Sequence, residues 1–139
     1  MIGIDVSDWQ GVIDWQKVKP QIDFAILKCT QGTTFTAAYY RANKAGCILQ
    51  GIPHGAYHWL KPNIDGALQA DYFYHAADDP DMAVLCVDFE EYGDGAAVNL
   101  EKAVNRLREW TGKNPCIYTR PSVWNTYFKT LPYWLLDCP

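Results

Sequence analysis

The hydrophobic residues of this chain fall into short apolar runs, and longer segments of helical character separate these runs. The apolar runs predict six strands, over residues 2–6, 24–29, 52–59, 82–90, 116–119 and 133–136. Helix-forming composition fills four of the intervals, over residues 36–45, 64–77, 97–110 and 122–129. Strands that alternate with helices predict an α/β fold whose strands run parallel in a sheet or barrel.

The helical segments show an apolar stripe and end at glycine or proline. Leu100, Val104 and Leu107 recur with the helical period, so this face should pack against the sheet. Gly46 and Gly112 follow the predicted helical stretches 36–45 and 97–110, in the way that glycine commonly ends a helix. The connections are short and no repeat or low-complexity segment interrupts them. We therefore expect one domain over residues 1–139.

Size and charge narrow the classes of partner. The 139 residues are 49% hydrophobic, which is enough for one domain with a real core. The net charge is -4 and no basic cluster occurs, which argues against nucleic acid as a binding partner. No apolar run approaches the roughly 20 residues that cross a bilayer, so no membrane partner is expected. Because the chain opens with a strand-like segment, we also expect no signal peptide.

The cysteines are odd in number and lie mostly within apolar, strand-like runs. They are Cys29, Cys47, Cys86, Cys116 and Cys138. This placement suits buried, reduced thiols better than a disulfide framework.

Two carboxylates end the fourth apolar run, in the segment Val87-Asp88-Phe89-Glu90. Side chains at i and i+2 of a strand share a face, so Asp88 and Glu90 should lie roughly 6–7 Å apart. Carboxyl groups at such a distance can act together on one glycosidic bond. The alternative interpretation is that Glu90 opens a solvated loop and Asp88 caps the strand end.

A third carboxylate ends the first predicted strand. If that strand is a parallel neighbour in the same sheet, Asp5 would join Asp88 and Glu90 at the carboxyl ends of the strands. Working residues collect at this edge in parallel α/β folds. The convergence favours the catalytic interpretation over the capping one.

Six segments carry a resemblance to a known family. They are Gly3-Ile-Asp-Val-Ser-Asp-Trp-Gln-Gly11, Ile13-Asp-Trp15, Phe24-Ala-Ile-Leu-Lys-Cys-Thr-Gln-Gly32, Gly55-Ala-Tyr-His-Trp59, Val87-Asp-Phe-Glu90 and Pro115-Cys-Ile-Tyr-Thr119. In this order, over almost the whole chain, they resemble the glycoside hydrolase family 25 lysozymes, many of which are phage endolysins. The resemblance implies an irregular β/α barrel that cleaves the β-1,4 bond between N-acetylmuramic acid and N-acetylglucosamine in peptidoglycan glycan strands.

The resemblance also implies which residues act. Asp88 and Glu90 match the Asp-x-Glu motif that carries catalysis in the family, and Asp5 matches the acid beside it. Tyr57 and Tyr118 match positions where the family lines its groove with tyrosines. No metal or other cofactor is implied.

Other aromatic residues near the strand ends could stack on sugar rings or pack in the core. These are Trp9, Trp59 and Tyr92. We include Trp59 with Tyr57 and Tyr118 as predicted substrate-binding residues. Lys28 lies among apolar strand residues, where it would either pair with one of the acids or extend its ammonium group to solvent.

Glycosidic cleavage needs one protonated acid and one negative group, and neighbouring carboxyl groups supply both because each charge raises the pKa of the other. Glu90 is the predicted general acid. Asp88 is predicted to stay ionised and to orient the N-acetyl group or stabilise the positive charge, while Asp5 tunes the pair and binds substrate. The spacing leaves open whether the anomeric carbon is attacked directly or with substrate assistance.

Two departures from the family pattern stand out. Gln31 occupies a position where the family often has an acidic residue. The family barrel also continues to a last strand region that contributes a further Asp, whereas this sequence stops at residue 139. We expect a shortened barrel, whose open sheet edge would favour self-association. The resemblance further suggests a phage lysin that is made in the host cytoplasm and acts on the bacterial cell wall.

Two other functions compete with this one. His54 and His58 could bind zinc in a metal-dependent hydrolase such as a polysaccharide deacetylase, if they lay on a helix. Pro53 and Gly55 favour a strand, where residues four apart lie roughly 13 Å from each other. A non-catalytic wall-binding module is the second alternative, suggested by the short carboxyl-terminal part.

Overall fold

The computed structural model describes residues 1–79, 82 and 84–127. The strands are β1 (Gly3–Val6), β2 (Phe24–Gln31), β3 (Phe35–Thr36), β4 (His54–Trp59), β5 (Leu85–Asp88) and β6 (Cys116–Tyr118). The helices are α1 (Trp15–Val18), α2 (Tyr40–Gln50), α3 (Gly66–Ala77), α4 (Ala96–Thr111) and α5 (Pro121–Tyr127). Short 3₁₀ turns cover Asp8–Gln10 and Lys19–Gln21.

The strands form one sheet in the order β1-β2-β4-β5-β6, and every neighbouring pair in that order is parallel. Strand order that follows chain order is typical of a β/α barrel, whereas a doubly wound sheet reverses its order. The predicted α/β class with parallel strands is confirmed, as a curled half-barrel. Strand β3 is the exception, because it pairs with β2 in the antiparallel sense.

The two faces of the sheet differ in what covers them. Leu27, Ala56 and Val87 point toward the helices and are fully buried. We call this the helix face. The opposite face carries Asp5, Lys28, Tyr57, Trp59, Cys86, Asp88, Cys116 and Tyr118, and we call it the open face. Several of its side chains remain exposed or half-buried, so this face is available to a ligand.

A bulge in β2 adjusts which side chains reach the open face. The register pairs Lys28 with Tyr57 and then Thr30 with His58, so Cys29 is the extra residue. Both Cys29 and Thr30 are fully buried, and the Thr30 hydroxyl lies 2.8 Å from Nδ1 of His58. Gln31, three residues after Lys28, consequently lies on the open face beside it.

The helical prediction for residues 97–110 is confirmed in α4, whose bounds extend one residue further at each end. Leu100, Val104 and Leu107 are buried as the stripe predicted. Gly112 ends the helix in the left-handed conformation, with φ of 67°. None of the described helices is both long enough and apolar enough to cross a bilayer.

Several predicted bounds are wrong. Helix α2 begins at Tyr40 and not at residue 36, because Thr36 belongs to β3, where it pairs with Thr30 of β2. Gly46 lies inside α2 and not after it, and Gly51 ends the helix instead. The indole ring of Trp15 occupies the space that a side chain at residue 46 would need. The predicted strand 133–136 and the last two residues of the predicted helix 122–129 lie outside the described residues.

Helices α3 and α4 cross closely at Gly66, where a Cβ atom would lie 1.8 Å from the carbonyl oxygen of Asn99. Because that obstacle is backbone, it cannot rotate away. We expect Gly66→Ala to lower the free energy of unfolding by about 3 kcal/mol, as overpacking does in well-packed cores. Urea unfolding followed by circular dichroism measures this loss.

Gly112→Ala is the matched comparison for Gly66→Ala. No atom lies within 4 Å of its added Cβ, and only the positive φ opposes the change. We expect it to cost about 1 kcal/mol. Equal losses in the two variants would contradict the close crossing of α3 and α4.

Candidate active site

The carboxyl ends of four strands place polar side chains on the open face. The register aligns Trp59 of β4 with Asp88 of β5, and Asp88 with Tyr118 of β6. Tyr57 lies two residues before Trp59 and pairs with Lys28 of β2. The predicted residues of these strands therefore share one face and one end of the sheet.

Asp88 is the most constrained carboxyl group of this face. Its exposed fraction is only 6%, and its Oδ1 atom has no hydrogen-bond partner. Burial, and then the negative charge of Glu90, raise the pKa of Asp88 to about 7. Lys28 opposes this rise and Asp5 adds to it. Asp88 therefore retains its proton over part of the neutral pH range, whereas we predicted it to be ionised.

Glu90 lies beyond the end of β5, so the prediction that the strand reaches residue 90 is wrong. Leu60 donates its backbone N–H to the carbonyl of Asp88, and Phe89 donates its own to the carbonyl of Tyr118. The Phe89 side chain is buried, with its ring 5.5 Å from that of Tyr127. Glu90 is half-buried and close enough to Asp88 to act on its charge.

Asp5 lies on β1 with its side chain exposed. Its negative charge contributes to raising the pKa values of both Asp88 and Tyr57. The structure thus brings Asp5, Asp88 and Glu90 into one electrostatic cluster. Their catalytic roles stay predictions.

Lys28 faces this cluster from β2. Its ammonium nitrogen lies 5.2 Å from the ring centroid of Trp59 and 5.7 Å from that of Phe35, and it donates a hydrogen bond of 3.2 Å to Gln31. Partial burial lowers the pKa of Lys28, while Asp88 opposes that change. The ammonium group of Lys28 is therefore held between two aromatic rings, and its positive charge interacts electrostatically with Asp88.

A fourth acid, Glu91, is fixed at the rim of the open face and is not among the predicted site residues. Its Oε1 atom accepts hydrogen bonds from Trp59 at 2.7 Å and from Lys61 at 2.6 Å. Burial alone would raise its pKa, but these two bonds outweigh it and lower the pKa of Glu91. The segment after Asp88 is thereby tied to the end of β4, and Trp59 has a fixed indole orientation. The partners lie about 30 residues apart in sequence, so no local pattern indicates them.

The predicted tyrosines differ in environment. Burial, followed by the charges of Asp88 and Asp5, raises the pKa of Tyr57 well above its usual value, so its phenol stays protonated. Tyr118 is 60% exposed at the end of β6. Both lie on the open face as donors and stacking surfaces for a polar ligand.

The remaining aromatic candidates lie on loops around the open face. Trp9 is 93% exposed in the turn that follows β1. Tyr92 is also exposed, and the guanidinium carbon of Arg120 lies 5.5 Å from its ring centroid. Neither side chain contributes to the core, so the core-packing interpretation is wrong for these two residues.

His54 and His58 lie on the helix face, away from the carboxylates. The ring of His58 is between the Thr30 hydroxyl, 2.8 Å from Nδ1, and Gln69 Oε1, 3.2 Å from Nε2. Burial lowers the pKa of His58 to about 4. His54 lies next to Asp79. Within residues 1–79, 82 and 84–127, no group of three or more His, Cys, Asp and Glu side chains could hold a metal ion.

We expect Lys28→Met to raise the pKa of Asp88 further, because the variant removes the positive charge that opposes the shift. A pH titration of the Asp88 carboxyl carbon by NMR measures this change. Lys113→Met, at an exposed position outside the site, is the control. An Asp88 titration that is unchanged in Lys28→Met would contradict the electrostatic contact.

Comparison with known proteins connects this site to a family. The sequence profile of "Glycosyl hydrolases family 25" matches residues 4–137. Lysozyme M1 of Streptomyces globisporus is 34% identical over 143 residues, which cover 89% of this chain and 48% of that protein. The uncharacterized protein YegX of Escherichia coli K12 is also 34% identical, over 96% of this chain and 54% of its own length.

The fold agrees with the sequence match. The crystal structure of the bacterial lysozyme from Streptomyces coelicolor superposes with a TM-score of 0.81 at 34% identity, covering 89% of this chain and 64% of that one. This chain spans about half the length of the curated relatives it matches. With a profile match over nearly all of its residues, the chain belongs to glycosyl hydrolase family 25.

Proposed function

We propose that this chain is a glycosidase that hydrolyses the β-1,4 bond between N-acetylmuramic acid and N-acetylglucosamine in peptidoglycan. The observation that carries the proposal is the carboxyl pair formed by Asp88, on the open face, and Glu90, whose negative charge acts on it. Burial and like charge leave that pair with a proton near neutral pH, which is the state that glycosidic cleavage requires. The name lysozyme borne by similar family members supports the choice of substrate.

The two carboxyl groups receive different roles from their surroundings. Glu90 is the more accessible of the two, so we assign it to the leaving oxygen as general acid. In the free protein the proton is retained at Asp88, because burial and the negative charge of Glu90 raise the pKa of that carboxyl group. Transfer of that proton to Glu90 on substrate binding would leave Asp88 ionised. The proposed catalytic state therefore differs from the free state only in which carboxyl group holds the proton.

The unpartnered Oδ1 atom of Asp88 supports a specific contact with substrate. A buried carboxyl oxygen without a donor costs free energy, and a ligand N–H that reaches it removes that cost. The N-acetyl group of the sugar offers such an N–H. We therefore assign Asp88 to orient the N-acetyl group beside the anomeric carbon. We assign Asp5 to tune the pair from β1, which is not a neighbour of β5 because β2 and β4 lie between them.

The aromatic residues of the open face supply the binding surface in this proposal. The phenolic O–H of Tyr57 donates a hydrogen bond to a sugar oxygen, and the rings of Trp59 and Tyr118 stack on the faces of the sugars. Lys28 and Glu91 hold the indole of Trp59 from two sides, which reduces the ordering that binding has to impose.

Digestion of purified peptidoglycan, followed by analysis of the new reducing ends, tests the proposal. The expected product ends in N-acetylmuramic acid, and the activity should persist with a strong chelator present. Reducing ends on N-acetylglucosamine would contradict the assigned bond. Walls that bind the protein without any new reducing end would instead support the wall-binding alternative.

Three further predictions stay predictions. They are the phage origin with synthesis in a host cytoplasm, action on the wall without a signal peptide, and self-association through an open sheet edge. Light scattering over a range of protein concentrations measures the last of these.

A further inference from the structure

Two cysteines lie side by side on the open face, in neighbouring strands. The register pairs Cys86 of β5 directly with Cys116 of β6. Paired residues of adjacent strands have Cα atoms about 4.8 Å apart, and a disulfide accepts Cα distances of roughly 4.4–6.8 Å. Their side chains point to the same side of the sheet, and each thiol acts on the pKa of the other.

The two thiols differ in accessibility. Cys86 is only 6% exposed, whereas Cys116 is exposed. The expectation of a buried thiol is therefore wrong for Cys116, although it is confirmed for Cys29, Cys47 and Cys86. A reagent can reach the sulfur of Cys116 first, and the sulfur of Cys86 is positioned to react next.

The chemistry of the pair favours the same order. The neighbouring Cys86 thiol lowers the pKa of Cys116, because an S–H group beside the negative sulfur stabilises it. The same interaction and burial raise the pKa of Cys86, which keeps its proton. Cys116 therefore has the larger thiolate fraction at neutral pH, and thiolate is the form that attacks disulfides.

We propose that Cys86 and Cys116 form a modification site that small disulfides such as oxidised glutathione convert to an intramolecular disulfide. The Cys116 thiolate attacks one sulfur of oxidised glutathione and releases one glutathione thiolate, which takes up a proton. Cys86 then loses its proton and attacks the Cys116 sulfur, which releases the second glutathione. Two protein thiols are oxidised and one small disulfide is reduced, so atoms and electrons balance.

The surroundings of the pair allow the sulfurs to approach bonding distance. Strand β6 is only three residues long, and within the described residues it pairs with β5 alone. A short strand at the edge of the described sheet can shift slightly with little disruption of packing. The other described cysteines have no comparable arrangement, since Cys29 faces Tyr40 and Cys47 lies within α2.

Incubation of the folded protein with oxidised glutathione, followed by thiol titration in denaturant and peptide mapping, tests the proposal. We expect a loss of two of the five thiols and one cross-linked peptide that joins Cys86 to Cys116. Cys86→Ser should instead retain a glutathione adduct on Cys116, and Cys47→Ser should behave as wild type.

Three outcomes would overturn the proposal. They are a stable glutathione adduct on wild-type Cys116, a disulfide that involves another cysteine, and no loss of thiols at all. The test uses only thiol chemistry, so it stands apart from the proposed cleavage of peptidoglycan.

Discussion

Replacement of Glu90 by Gln is expected to lower the rate of peptidoglycan hydrolysis by roughly 10²–10⁴-fold, the usual contribution of a general acid. The amide keeps the size of the side chain but carries no transferable proton. Binding to walls should change little, because Glu90 is half-exposed and the aromatic residues remain. Initial rates of reducing-end release on purified peptidoglycan measure the effect.

Glu101→Gln is the matched control, since it makes the same chemical change on α4, outside the candidate site. It should leave the rate unchanged. If Glu90→Gln hydrolyses walls as fast as wild type, Glu90 is not the general acid. A loss of the folded signal in circular dichroism would separate unfolding from a catalytic effect.

Replacement of Asp88 by Asn is expected to lower activity and to change stability in a pH-dependent way. Below about pH 4 the carboxyl group is protonated in both folded and unfolded chains. Between about 4 and 7 the unfolded chain releases its proton first, because burial raises the folded pKa from 3.8 to about 7. Wild type therefore loses stability as the pH rises through this range, whereas the variant does not.

The size of this effect follows from the pKa shift. The stability of Asp88→Asn relative to wild type should rise by about 1.4 kcal/mol for each pH unit in that range, and stay constant above it. The full rise is about 4 kcal/mol. A buried amide without partners costs about 1–3 kcal/mol, which lowers the stability of the variant equally at every pH and leaves the rise unchanged. Urea unfolding at several pH values measures the difference.

Asp94→Asn removes an exposed carboxylate shortly after the motif and serves as the control. It should change the free energy of unfolding by less than about 0.5 kcal/mol at each pH, as surface substitutions do. A relative stability of Asp88→Asn that does not vary with pH would contradict the raised pKa. Such a result would also remove the retained proton on which the proposed mechanism depends.

Much of the scaffold could be predicted from the sequence, because burial leaves periodic patterns. The stripe of α4 and the apolar run of β2 both reflect faces that must leave water. The end of β5 was placed too late for a related reason. Phe89 is apolar and buried, so it continues the run, yet the strand ends at Asp88. Hydrophobicity indicates burial, and it does not by itself indicate the last residue of a strand.

The candidate site was only partly predictable, since its geometry depends on contacts between distant residues. The carboxylates stood out because acids at the end of an apolar run are costly to keep there. The hydrogen bonds from Trp59 and Lys61 to Glu91 leave no comparable pattern in the sequence, because indole, ammonium and carboxylate groups near strand ends are common and their partners are distant in sequence. Nor does any local pattern specify that Cys86 pairs with Cys116, which depends on the register of two strands.

The extra residue in β2 allows one strand both to fill the core and to place a polar side chain at the open face. Before Cys29 the strand alternates regularly, and its buried members are set by the need to fill the interior. Beyond that residue the alternation is offset, so Gln31 turns outward beside Lys28 without moving any of the preceding apolar side chains. The chemistry of the rim can therefore diversify during evolution while the interior of the molecule stays the same.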